Sequence, residues 1–300
     1  DQTGQGRIVA IPRGGKLRTL EAIEAWIQAA NLKEGRLLRS IAKSGVIGDS
    51  LTEGIGDDPW PDGTPRGWAD RLAEHLDART PGGTEYANLA VRGRLLGPIL
   101  TDQLPAALDL QPDLVSIVGG GNDILRPSVN LDDIADRLER AVERTRATGA
   151  DVLLATPTDP AKAGLLSSLR PRHAVHTANL FSIAQRHGAY VLNLWTMRSL
   201  RDWRMWSQDR IHLSPEGHRR VALAALDALG LDTDRTDWTT PLPHEPLAPR
   251  TERLVEHGRW VRTHAGPWVH RRLTGRSSGD TVQAKRPELS PLRPGELPFG

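Results

Sequence analysis

A chain of 300 residues suffices for one well-cored domain with appendages or for two small domains, and 38% apolar with 25% charged residues fits a soluble globular protein. The formal charge of +2 supplies no global field for nucleic acid, and the absence of cysteine excludes disulfide staples, thiolate zinc sites and a cysteine nucleophile. No apolar run is long enough to span a bilayer and no charged-then-apolar leader opens the chain, so the expected location is cytoplasmic.

Three regions differ in character. Residues 1–43 open with a Gly/Arg-rich stretch, after which Leu20, Ile23, Ala25, Trp26, Ala29 and Ala30 fall near helical spacing. From about Ser44 to Leu231 the pattern alternates between apolar strands and amphipathic helices. Strands are expected at Val46–Ile47, Tyr86–Val91, Leu114–Val118, Val152–Ala155 and Tyr190–Leu194. Helices are expected over Gly67–Ala78, Leu131–Thr148, His173–His187 and Glu216–Leu229. This alternation predicts an α/β fold, a parallel sheet covered on both faces. Active sites in such sheets lie beyond the carboxyl ends of the strands, which directs attention to the loops there. From about Asp234 the chain is rich in Pro, Arg and Trp. One or two short helices are expected between Arg253 and Arg271, in an extension over 232–274, and a disordered tail is expected over 275–300.

The strongest local signal is Gly48-Asp49-Ser50-Leu51, directly after the first strand of the middle region. A serine on such a turn presents its hydroxyl, but the hydroxyl is a weak nucleophile until a base takes its proton. A base with an orienting acid stands at Asp209-Arg210-Ile211-His212, where a three-residue offset lets both side chains emerge on one side of a loop. Ser214 and Pro215 then read as the cap and first turn of a helix. An acyl-transfer site also needs donors aimed at a developing oxyanion. Asn122, in Gly120-Gly121-Asn122-Asp123, carries a side-chain amide, and Gly93 leaves its N–H open to close approach. Asp49 reads as a turn-stabilising carboxylate and Asp123 as a support for the Asn122 loop.

These four blocks, in this order, resemble the SGNH (GDSL) hydrolase family over about residues 44–231. The resemblance implies a flavodoxin-like three-layer α/β/α sandwich with no metal or organic cofactor. It implies Ser50 as nucleophile, His212 and Asp209 as base and orienting acid, and Gly93, Asn122 and the Ser50 N–H as the oxyanion hole. The implied substrate is a small-molecule ester. Within the same chemistry, a carbohydrate deacetylase or an acyltransferase are the alternatives. Oligomeric state is not legible, and no nucleic-acid partner is expected for the hydrolase region.

Other features have plainer readings. His218 reads as a structural helix residue. His173 and His176 lie one helical turn apart without a third ligand and read as a solvated helix face. Trp60, Trp68, Trp203 and Trp206 are equally consistent with pocket walls and with core. The arginine-rich patch Arg271–Arg276 reads as a solubilising tail. The first forty residues differ again: Asp1-Gln2-Thr3-Gly4-Gln5-Gly6 through Ile11-Pro12, Ala25-Trp26 and Leu32 to Arg39 resemble a piece of the catalytic domain of phage-integrase-type tyrosine recombinases. A His-x-x-Arg motif is missing, and the tyrosines of the chain, Tyr86 and Tyr190, lie in the hydrolase-like region. That piece is therefore expected to be a passenger, the alternatives being a docked amphipathic helix or a DNA-binding remnant.

Overall fold

The computed structural model describes residues 41–245, 249–267 and 277–292. The amphipathic stretch from Leu20 to Ala30, the recombinase-like segment and the patch Arg271–Arg276 lie outside the described residues, as do Trp268 and Val269.

β1 (Lys43–Ile47) runs into Gly48, and α1 (Ser50–Glu53) follows as a single turn capped by Asp49. α2 (Trp68–Asp77) buries Trp68, Leu72 and Leu76, the stripe expected from helical spacing. Trp68 is thereby assigned to the core. β2 (Glu85–Asn88) leads into a helical segment that the sequence did not announce: a turn at Leu96–Pro98, a π-helical turn at Ile99–Gln103 and α3 (Leu104–Asp109). Gly97, Pro98 and Pro105 make this stretch read as loop, yet Leu96, Ile99, Leu104 and Ala107 are buried. Tertiary burial overrides the local signal.

β3 (Leu114–Ile117) ends in the glycine loop that carries α4 (Gly121–Ile124). α5 (Leu131–Ala147) starts on Asn130, whose side chain accepts from the Asp132 N–H, and it carries Asp132 and Asp133 in its first turn and Arg144 and Arg146 in its last. That charge order complements the helix dipole. β4 (Asp151–Ala155), α6 (Arg170–His187), β5 (Tyr190–Leu192) and α7 (Pro215–Ala228) complete the alternation. Ser214 caps α7, accepting from the Gly217 N–H at 3.3 Å, with Pro215 in the first turn as its sequence indicates. Two further helices follow, α8 (Arg235–Thr239) and α9 (Arg250–Trp260), and then β6 (Arg286–Pro291).

The sheet order is β5-β4-β3-β1-β2-β6, with all pairings parallel except that of β6 on β2. The five parallel strands thus have the flavodoxin-like order, whose switch point falls between β1 and β3. On one face, Ile47, Val115, Ile117, Val152 and Leu154 join Ile134, Leu138, Val142, Leu180 and Ile183 in one apolar cluster. The alternate strand residues Val46, Leu114 and Leu153 are buried as well, so helices cover both faces. Among the described residues, no helix is long and apolar enough to cross a membrane.

The end of the chain departs from expectation. Residues 277–292, placed by composition in a disordered tail, form a turn and then β6, antiparallel to β2 with Glu85 opposite Pro291 and Tyr86 opposite Ser290. Pro287 and Pro291 argue against a central strand, but an edge strand tolerates proline where no ladder N–H is needed. The segment is anchored by Lys285, whose buried ammonium donates to the carbonyls of Glu53 (2.6 Å) and Pro65 (2.7 Å) and to Asp70 Oδ2 (2.6 Å). Residues 293–300 lie outside the described part.

Candidate active site

The loops beyond β1, β2 and β3 meet at the switch point, and hydrogen bonds between them are specific. Asp49 accepts from the Leu51 N–H at 3.1 Å and so caps the turn that presents Ser50, which is half-buried. The other oxygen of Asp49 accepts from Asn122 Nδ2 at 3.2 Å, and the same amide donates to the Arg94 carbonyl at 3.1 Å. Asn122 therefore joins the β1, β2 and β3 loops. Asp123 is buried and accepts from the Leu96 N–H at 2.9 Å, linking the β3 loop to the chain after β2.

The candidate base, His212, lies on the loop before α7. His212 Nδ1 stands 2.6 Å from Asp209 Oδ2. A carboxylate only accepts, so Nδ1 holds the proton and Nε2 is the nitrogen left to act as base. Asp209 Oδ1 accepts from Ser207 Oγ (2.6 Å), the Ile211 N–H (2.9 Å) and the His212 N–H (3.0 Å). Partial burial raises the pKa of this carboxyl, but the hydrogen bond and charge of His212, with the other donors, hold it well below the usual carboxylate range. Asp209 stays ionised and fixes the imidazole.

One close approach brings this loop to the chain that leaves the Ser50 turn. Gly56, at φ +97°, is a position where any Cβ would overlap the Leu213 carbonyl and lie 3.2 Å from His212 Cβ. Only glycine lets the chain leaving α1 run against the Asp209–Leu213 loop. Asp49 in turn feels His212 electrostatically. Burial pushes the Asp49 carboxyl up to about 6, the Leu51 N–H and the charge of His212 oppose the rise, and Asp123 adds to it.

Gly93, at φ +70°, follows β2, and no described residue accepts from its N–H or from that of Ser50. The loop around Gly93 is held by Glu53, a buried residue of α1 whose carboxylate accepts from the Arg92 N–H at 2.6 Å and pairs with the Arg92 guanidinium. Glu53 went unremarked in the sequence, as did Gln103, whose side chain brackets Gly48 by accepting from its N–H (2.8 Å) and donating to its carbonyl (3.1 Å). A lone Gln inside an apolar helix and a Glu three residues after the serine are the signals that mark them.

His218 is buried and neutral: its Nδ1 accepts from the Trp68 N–H at 3.1 Å and its Nε2 donates to the Ile55 carbonyl at 3.2 Å. It caps α2 and ties the chain after α1 to α7, the structural role expected of it. His176 corrects its expectation. It does not lie on a solvated face but is buried beneath the glycine loop, with Nε2 3.3 Å from the Gly119 carbonyl. The glycines leave room for the ring, a Cβ at Gly120 meeting its Cε1 at 3.0 Å. Among the described residues, Glu139, Glu143 and His187 offer three clustered ligand atoms, but Glu139 is already paired with Arg186 and His187, away from Ser50 in the chain and on the helical layer.

The fold is that of an SGNH-type acylhydrolase. Residues 46–220 match the model of the GDSL-like Lipase/Acylhydrolase family, and the chain belongs to that family. Among curated proteins, none matches it by sequence. Among solved structures, a variant of an acetyl xylan esterase from Geobacillus stearothermophilus is similar at 22% identity and TM-score 0.54, covering 66% of this chain and 100% of the other. LAE5, an alpha/beta hydrolase enzyme from the metagenome of Lake Arreo, Spain, is similar at 25% identity and TM-score 0.55 over 64% of this chain and 97% of its own. TesA is similar at 26% identity and TM-score 0.51, with 62% and 97% covered.

Proposed function

We propose that the protein cleaves carboxylic esters of small molecules through a Ser50–His212–Asp209 triad and an acyl-enzyme. Ser50 Oγ attacks the ester carbonyl carbon while His212 Nε2 takes its proton. The N–H groups of Ser50 and Gly93 and the amide of Asn122 receive the oxyanion, Asn122 turning toward it the hydrogen it gives Asp49. The tetrahedral species collapses as His212 returns the proton to the leaving alcohol. Water, deprotonated by the same nitrogen, then attacks the acyl-enzyme, releasing the acid and restoring Ser50.

The observation that carries this reading is the Asp209–His212 hydrogen bond on a loop packed against Gly56, three residues beyond the turn of Ser50, with Asn122 bonded to Asp49, the residue before the serine. The test is a chain-length series of p-nitrophenyl esters beside acetylated sugars, run on wild type and Ser50→Ala. Turnover by wild type that falls by about 10³-fold or more in Ser50→Ala is expected. Hydrolysis that survives the substitution refutes the role of Ser50. The best substrate in the series separates a lipid-like esterase from a sugar deacetylase.

A further inference from the structure

The C-terminal segment, outside the region that matches the family, reaches the site from two directions. Trp260, the last residue of α9, donates its Nε1–H to the carbonyl oxygen of Asp209 at 2.8 Å. Its ring also lies 5.3 Å from the guanidinium of Arg210, which is 5.6 Å from the Trp203 ring. Arg210 sits between Asp209 and His212 in the left-handed region, φ +57°, a conformation that strains a residue with a Cβ. The peptide linking the acid to the base is therefore in an unfavourable conformation, and a side chain from the C-terminal extension bonds to it.

The second contact is on the opposite loop. The turn at Ser277–Asp280 is closed by Ser277 N–H donating to Asp280 Oδ2 (2.9 Å) and Gly279 N–H donating to Ser277 Oγ (3.2 Å). It lies directly on the chain leaving β2. A Cβ on Gly93 would overlap the Ser277 hydroxyl, and a Cβ on Gly279 would overlap the Arg92 carbonyl and lie 3.0 Å from Val91 Cγ1. Lys285 and β6 hold this turn in place from the other end.

We infer that the C-terminal segment braces the active site, with Trp260 as a positioning residue for the Asp209–His212 loop and Gly279 as the point where the turn seats the Gly93 loop. The inference rests on the hydrolase reading above. Trp260 holds the Asp209–Arg210 peptide so that Asp209 keeps both its backbone donors and the imidazole, and the cation–π contacts with Trp260 and Trp203 hold Arg210 in its strained conformation. Each contacts a backbone carbonyl of the loop it braces, Trp260 that of Asp209 and Gly279 that of Arg92, and so acts on turnover rather than on binding.

The test uses the full chain. Trp260→Phe keeps the ring over Arg210 and removes the donor. It is expected to lower kcat about three- to tenfold, the effect of one neutral hydrogen bond, with KM within about twofold and little change in Tm. Arg210→Gly removes the strain and the cation together. It is expected to leave Tm unchanged or raised while kcat falls about tenfold, opposite signs that loss of folding cannot produce. Gly279→Ala presses on the Arg92 carbonyl and is expected to lower kcat with KM kept. Labelling of Ser50 by a fluorophosphonate slows in parallel in all three, and Ser50→Ala abolishes it. Wild-type kcat and labelling rate in Trp260→Phe and Arg210→Gly overturn the bracing role while leaving the hydrolase reading intact. Failure of wild type to label or to turn over esters overturns the hydrolase reading, and the bracing role with it.

Discussion

Lys285→Met removes the buried charge that fastens the end of the chain beside the Ser50 turn. The ammonium is 7% exposed and Asp70 4% exposed, and the three donors of the lysine are all used, on Asp70 Oδ2 and on the carbonyls of Glu53 and Pro65. Burial already raises the Asp70 carboxyl above its ordinary value against the opposing charge of Lys285. Without the lysine, a carboxylate and two carbonyls are left without this partner in a dry site. Breaking one side of a buried pair costs about 3–5 kcal/mol. For a domain of this size each kcal/mol shifts Tm by roughly 2–4 °C, so a fall of about 6–20 °C is expected. The sign of the pH dependence follows from Asp70. Its folded-state pKa lies above the unfolded value and rises further without Lys285, so the folded state binds the extra proton and the penalty shrinks as pH falls. Urea and thermal melts at pH 7.5 and 5 measure this, and the double variant Lys285→Met/Asp70→Leu is expected to recover much of the loss. A Lys285→Met protein within about 1 kcal/mol of wild type at neutral pH, on the scale of an exposed pair, refutes the docking of residues 277–292 and the buried anchor together.

Three further outcomes are expected. Asn122→Ala lowers kcat about 10²–10³-fold with KM within a few-fold, as loss of an oxyanion donor does, and steady-state kinetics on a p-nitrophenyl ester decide it. Asp209→Asn leaves the fold intact by circular dichroism but lowers kcat about 10⁴-fold, because an amide no longer fixes the tautomer of His212. Burial holds His176 and His218 down at about 4 from an ordinary 6.5, so the unfolded chain binds protons that the folded one refuses, and stability falls as pH drops from 6.5 toward 4. Each histidine contributes a slope of about 1.4 kcal/mol per pH unit, and Asp49, raised to about 6, opposes them with one slope of the other sign below pH 6. His176→Gln is expected to flatten the acid side of a Tm-versus-pH profile by one such slope, and an unchanged profile contradicts the buried neutral state.

The strands and long helices of the middle region were legible because burial on both faces leaves an unmistakable pattern. Leu114 to Val118 is apolar but for the buried Ser116, and Ile134, Leu138, Ala141, Val142 and Thr145 recur at helical spacing, the same residues that α5 buries. Local chemistry also announced its own elements: Ser214 and Pro215 start α7, Asp49 caps the turn of Ser50, and the three-residue offset pairs Asp209 with His212. Each of these signals acts within a few residues, so one sequence suffices to show it. What lay beyond the sequence acts across the chain. Gly48 and Gln103 stand 55 positions apart, Glu53 and Arg92 39, and Glu53 and Lys285 232, separations that no periodicity connects. The prolines of Leu96–Asp109 and of Arg286–Pro291 hid a buried helical segment and an edge strand, because local propensity is outweighed once a neighbouring surface is there to be covered. His176 could be taken for a surface residue until the glycine loop above it was seen to leave a space that only tertiary packing creates.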